Sequence, residues 1–129
     1  MNEKTANLRD KIIFGAERDW NTASGGILHF DGLYIEALEK LVEKKLIHLD
    51  GAQNSSPRVR DFANFLKKYP KAYAHGYVVR KERSDTRVSL EGIGCHPEHV
   101  TEQMKKEFTA LCKRADEFRV SGALFAWWD

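Results

Sequence analysis

Two segments rich in β-branched and aromatic residues, Tyr73–Val79 and Arg87–Ile93, flank the polar run Arg80-Lys81-Glu82-Arg83-Ser84-Asp85-Thr86. Such residues fit a pleated, half-buried surface, and a polar run between two of these segments reads as the turn of an antiparallel hairpin. In the second segment Val88 and Leu90 point one way while Arg87, Ser89 and Glu91 point the other. One face of the hairpin is therefore left to water or to a ligand. Gly92 and Gly94 are expected to end this strand.

Around the hairpin the periodicity is helical. From Asp31 to Leu46 the residues Ile35, Leu38, Leu41, Val42 and Leu46 recur at three- and four-residue steps, with Asp31 placed to cap the first turn. Ser56 and Pro57 open a second helix, in which Val59, Phe62, Ala63, Leu66 and Tyr69 share a face until Pro70 stops it. His96 and Pro97 open a third, striped by Val100, Met104, Phe108, Leu111, Cys112 and Ala115. Thr5, Leu8 and Ile12 suggest a short helix at the start. Gly25 to Phe30 reads as a loop entering an extended piece, and Phe118–Trp128 reads as a last strand with Gly122 as a bulge.

These elements predict an α+β fold: a small, mainly antiparallel sheet of about three strands, made by the hairpin 73–93 and the C-terminal strand, packed by the helix from Pro97 to Ala115 and preceded by an N-terminal helical layer. At 129 residues, 42% apolar and 31% charged, with no Pro, Gly or Ser block, residues 1–129 read as a single domain. The first residues lack the basic start and apolar stretch of a secretory signal, and no apolar run is long enough to span a bilayer, so a cytoplasmic protein without membrane contact is expected. There, Cys95 and Cys112 read as free thiols.

Charge is unevenly spread. Residues 58 to 88 carry nine Lys or Arg against three acids, whereas both flanks have a small acidic excess. Such a patch attracts phosphates or acidic protein surfaces. The candidate binding residues are Arg58, Arg60, Lys67 and Lys68 on the second helix and Lys81 and Arg83 in the hairpin turn. The order helix, strand, helix, helix, hairpin is that of a winged helix-turn-helix module, although His48 to Ser56 replaces its short turn. The leading expectation is a non-enzymatic binding or regulatory domain that meets an acidic protein or nucleic acid through this surface. The two basic groups must lie side by side for that to work.

A second expectation is a small enzyme or ligand-binding protein with its site on the hairpin's polar face. His75, Tyr77, Arg87 and Glu91 converge there as pocket candidates, because residues on one sheet face are neighbours. Cys95 before a helix N-terminus, with His99 one turn on as a base, is the candidate nucleophile. Cys95, His96 and His99 do not have standard zinc spacing, so neither a metal nor a cofactor is expected. Trp127 and Trp128 fall on opposite faces of an extended segment, one ring for the core and the other for a contact such as self-association through the C-terminal strand.

Overall fold

The computed structural model describes residues 1–129. Four helices, α1 (Glu3–Phe14), α2 (Ile35–Glu43), α3 (Val59–Lys68) and α4 (Glu102–Leu111), accompany five strands, β1 (Ile27–Leu33), β2 (Tyr73–Val79), β3 (Val88–Cys95), β4 (Glu117–Arg119) and β5 (Leu124–Trp127). The strands form one antiparallel sheet in the order β1-β2-β3-β5-β4. The fold is α+β as expected, with five strands rather than about three. Both extra strands come from extended segments that the sequence shows only weakly.

The first is β1, whose last residues overlap the expected start of the Asp31 helix. Asp31 is a strand residue, and α2 begins at Ile35 with Tyr34 flanking it and no side-chain cap. The second is β4. Phe118–Trp128 is a tight hairpin and not one strand, because Gly122 turns the chain at φ +77° between Arg119 and Leu124. Gly122 is a turn residue and not a bulge.

Helix boundaries follow their caps. The Asn2 side chain accepts the Thr5 amide at the start of α1, and Thr101 accepts the Met104 amide at the start of α4. The His96–Pro97 start therefore gives only a separate single turn at Pro97–His99. Ser56 is likewise not the cap of α3: its hydroxyl donates to the Pro57 carbonyl, and the helix starts where the Asp61 carboxylate accepts the Arg58 amide.

Val59, Phe62, Ala63, Phe65 and Leu66 of α3, Leu38 and Leu41 of α2, and Met104 and Phe108 of α4 join Ala74, Val78, Leu90, Ile93, Leu124 and Ala126 of the sheet in a cluster of 24 buried residues. Trp128 sits among them, its ring edge-on to Phe62 with centroids 5.7 Å apart. All these helices thus cover one face of the sheet. Helix α1 buries Ala6, Arg9 and Asp10 while Leu8 is exposed, which departs from the expected Thr5, Leu8, Ile12 face. Arg9 lies beside Asp10 at 3.2 Å and donates to the Val79 carbonyl and Thr86 hydroxyl, while Trp20 Nε1 donates to Asp10. That cluster clamps α1 and the Trp20 segment onto the end of the β2–β3 hairpin.

Register on the hairpin changes once. Tyr77 pairs with Ser89 and Gly76 with Leu90, but His75 pairs with Gly92, so Glu91 is an extra residue in β3. Such a bulge reverses side-chain parity. Val88 and Leu90 are core residues before it, Ile93 and Cys95 after it. Gly92 and Gly94 accordingly do not end the strand; they pair with Trp127 and Phe125 of β5 inside it. No helix is long and apolar enough to cross a membrane.

Gly76 is fixed by this irregularity, because a Cβ on it would stand 1.9 Å from the Ser89 carbonyl oxygen. Backbone cannot yield as a side chain can. Gly76→Ala should lower the unfolding free energy in urea by about 1–3 kcal/mol, the usual range for overpacking. Gly122→Ala, with nothing within 4 Å of its added methyl, should lose only the roughly 1 kcal/mol of a left-handed backbone.

Candidate binding face

On the face of the sheet that no helix covers, Tyr73, His75 and Tyr77 of β2 alternate outward while Ala74 and Val78 point to the core. Their cross-strand neighbours on the same face are Gly94, Gly92 and Ser89. The two glycines are needed there. The His75 ring lies where a side chain on Gly92 would begin, at 1.7 Å from an added Cβ, and the Tyr73 ring lies 3.0 Å from one added to Gly94. With those places open, the His75 ring stacks on Phe125 of β5, centroids 5.2 Å apart and planes 7° apart. Tyr73 in turn packs between Tyr34 at 5.9 Å and His96 at 5.4 Å, and His29 of β1 meets Tyr77 at 6.0 Å.

These rings border a wide concavity of about 770 Å³ that runs from β1 to β4 and β5. Phe30, Tyr34, Tyr73, Phe125, Trp127 and three histidines, His29, His75 and His96, line it. Its charged side chains are Asp31, Glu91 and Glu117, with no lysine or arginine. Glu91 reaches this face by the same alternation that places Val88 and Leu90 in the core, and the bulge sets Gly92 beside it on that face. Its side chain is only 15% exposed, and the nearest basic group to its carboxylate is the imidazole of His29 at 3.5 Å.

The surroundings perturb two groups here. Burial is the main cause holding the His75 imidazole below the ordinary histidine pKa, with Glu91 pulling the other way, and its Nε2 is buried without a hydrogen-bond partner. Burial also pushes the Tyr73 hydroxyl up, helped by Tyr34 and Asp31.

Of the expected pocket residues, His75 and Glu91 line the concavity, whereas Tyr77 and Arg87 stand beside it. Arg87 lies over the Tyr77 ring at 5.4 Å and spends its donors on the Tyr77 hydroxyl at 2.8 Å, Asp85 and Ser89. A smaller cavity of about 360 Å³ lies behind Arg87, between the 46–57 loop and β3, and is walled mostly by apolar side chains such as Ile47, Val59 and Phe62. Tyr34, Asp31, Phe125 and Glu117 were not legible as site residues, whereas Trp127 is the ring that the sequence left for a contact outside the core. Only the strand pairing, which depends on contacts distant in sequence, puts them beside His75.

The expected thiol site does not assemble. After the bulge Cys95 points into the core, 1% exposed, and its thiol lies near the Lys71 and His96 carbonyls. Burial, with Glu98 adding, raises its pKa and so disfavours thiolate. Only the single turn Pro97–His99 follows it, and the helix α4 does not start until Glu102. His96 lies on the other side of the sheet in the concavity, and His99 is a surface residue next to Glu98. Cys112 is also buried, its thiol pushed up to about 12. No three His, Cys, Asp or Glu residues cluster closely enough to hold a metal ion.

The basic middle of the chain is largely paired. Arg60 meets Asp50, Lys68 meets Glu107, Arg80 meets Glu82, Lys81 meets Glu3, and Arg83 and Arg87 both meet Asp85. Arg58, Lys67 and Lys71 have no such partner. Lys67 and Lys68 close α3 just before β2 begins, whereas Lys81 and Arg83 follow its end. A strand of seven residues separates them, which is ~23 Å at about 3.3 Å per residue. The turn packs on α1 and the Gly25 segment, where Arg83 donates to the Gly25 carbonyl, while Pro57 and Val59 at the start of α3 border one cavity with Arg87 and Val88.

No family model, curated protein or solved structure matches this chain.

Two measurements test these assignments. His75 binds a proton less readily folded than unfolded, so its contribution to stability is fully present above pH ~6.5 and declines as pH falls through and below that value. Urea unfolding at pH 7.5 and 5.5 should show wild type losing more stability on acidification than His75→Phe, which keeps the stack on Phe125. For the buried thiols, alkylation of the native protein at pH 7 should be at least ~10-fold slower than that of free cysteine, and should reach the ordinary rate in denaturant.

Proposed function

We propose that this protein is a non-enzymatic binding domain that engages its partner through the helix-free face of the sheet. The observation that carries this reading is the concavity of about 770 Å³ bordered by Tyr34, Tyr73, His75, Phe125 and Trp127, rings left partly exposed on a sheet whose other face is covered by helices. Aromatic side chains in that state lose little conformational freedom on binding and bring large contact area, which is why they anchor interfaces. The cross-strand stack of His75 on Phe125 holds those two rings in place before any partner arrives.

This reading replaces the basic surface as the main contact. Most of its cations already have carboxylate neighbours, and such exposed pairs contribute little attraction for a further anion. Arg58 and Lys67 remain able to assist but are too few to drive nucleic-acid affinity, which grows with the number of phosphates neutralised.

Amide resonances of the labelled protein, followed during titration with a pool of short peptides of mixed sequence and separately with a mixed-sequence DNA duplex, distinguish the two surfaces. The expected shifts are at residues 29–32, 73–77, 91–96 and 124–127 with peptides. Salt-sensitive shifts at Arg58, Arg60, Lys67, Lys81 and Arg83 with the duplex, and a silent open face, would return the function to the basic surface.

A further inference from the structure

Resting on the open face as the binding surface, we infer that its partner is a protein segment presenting an arginine side chain. The charge of the concavity points this way. Three carboxylates, Asp31 from β1, Glu91 from β3 and Glu117 from β4, border it from three strands, and no cationic side chain lines it. The chain as a whole carries a formal net charge of +2, so a surface with this balance runs against its composition.

Glu91 supplies an independent reason. It is a largely buried carboxylate, and in the free protein it has only the weakly basic His29 beside it and accepts no side-chain hydrogen bond. An incoming cation would supply the strong partner that a desolvated carboxylate otherwise lacks. Loss of water around Glu91 makes that attraction stronger than at an exposed acid.

The rings narrow the class of cation. Guanidinium is planar and weakly hydrated, stacks on aromatic faces and donates in a fork that fits a carboxylate. Tyr73, Phe125 and Trp127 offer faces, and the two oxygens of the Glu91 carboxylate offer the fork's acceptors, whereas an anion would meet Asp31, Glu91 and Glu117 as three like charges along the face. Size favours a chain segment over a small free cation. The five strands of the sheet span ~19 Å at about 4.8 Å between neighbours, the length of roughly six extended residues.

The test compares two capped hexapeptides that differ only at one central residue, arginine or its uncharged isostere citrulline, by calorimetry and by amide shifts of the folded protein. The arginine peptide should bind at least ~10-fold more tightly, equal to about 1.4 kcal/mol, with shifts at residues 29–32, 73–77 and 91–96. Glu91→Gln should weaken it at least fivefold. Asp31→Asn, an exposed position whose substitution does not disturb the core, should weaken it at least twofold and keeps the test valid if Glu91→Gln fails to fold.

If both peptides bind the open face equally, or if neither carboxylate variant weakens the arginine peptide, the arginine assignment is wrong while the face remains the binding surface. If neither peptide moves those resonances at any concentration up to millimolar, the arginine assignment is again wrong, and the mixed peptide pool decides separately whether the face binds anything.

Discussion

The carbonyl oxygen of Ser89 occupies the space in which a side chain on Gly76 would start, and the register of the central hairpin turns on that one contact. It accompanies the extra residue Glu91, which lets β3 place Val88 and Leu90 in the core, turn Glu91 outward, and then place Ile93 and Cys95 in the core again. Without the bulge a strict two-residue alternation would keep one parity along the whole strand. Ile93 and Cys95 would then face solvent whenever Leu90 faced the core. The bulge is therefore what allows one eight-residue strand to turn Ile93 and Cys95, as well as Val88 and Leu90, toward the core.

That choice propagates outward. Gly92 and Gly94 fall on the open face, where the rings of His75 and Tyr73 lie over them and reach the neighbouring strand. His75 can then stack on Phe125, and the stack desolvates its imidazole. A row of rings held by neighbours on adjacent strands is rigid in a way that side chains on a loop are not. At the far end, the buried Arg9–Asp10 pair, with Trp20 and the Val79 carbonyl, pins α1 to the same hairpin, so both ends of β2 are fixed by contacts outside the strand.

Much of the fold was legible because it depends on local pattern. The hairpin strands, the apolar stripes of α2, α3 and α4, the core position of Cys112 and the division of Trp127 and Trp128 between two faces follow from two- and 3.6-residue periods. The helix starts were misplaced at Asp31, Ser56 and His96. In each case the residue type suits a cap, yet tertiary packing gave Asp31 to a strand, Ser56 to its own loop and His96 to the face beside Tyr73. Strand β4 escaped notice because three residues, Glu117 to Arg119, are too few to show an alternation.

The site divides along the same line. His75 and Glu91 could be named because they share one hairpin, a unit that sequence adjacency defines. Tyr34, Phe125, Trp127, Asp31 and Glu117 join them only through pairings between strands tens of residues apart, for which a single sequence carries no signal. The cationic run from 58 to 88 shows the reverse. Its charge excess is a property of the sequence, but its effect is decided in space, where Glu3, Asp50 and Glu107 arrive from elsewhere in the chain to pair with it. The sequence by itself determined the central hairpin strands and the apolar sides of the helices, since those follow from spacing along the backbone. Only the tertiary structure decided which polar side chains meet, because a charge or a ring acts on whatever lies within a few ångströms, whatever its distance along the chain.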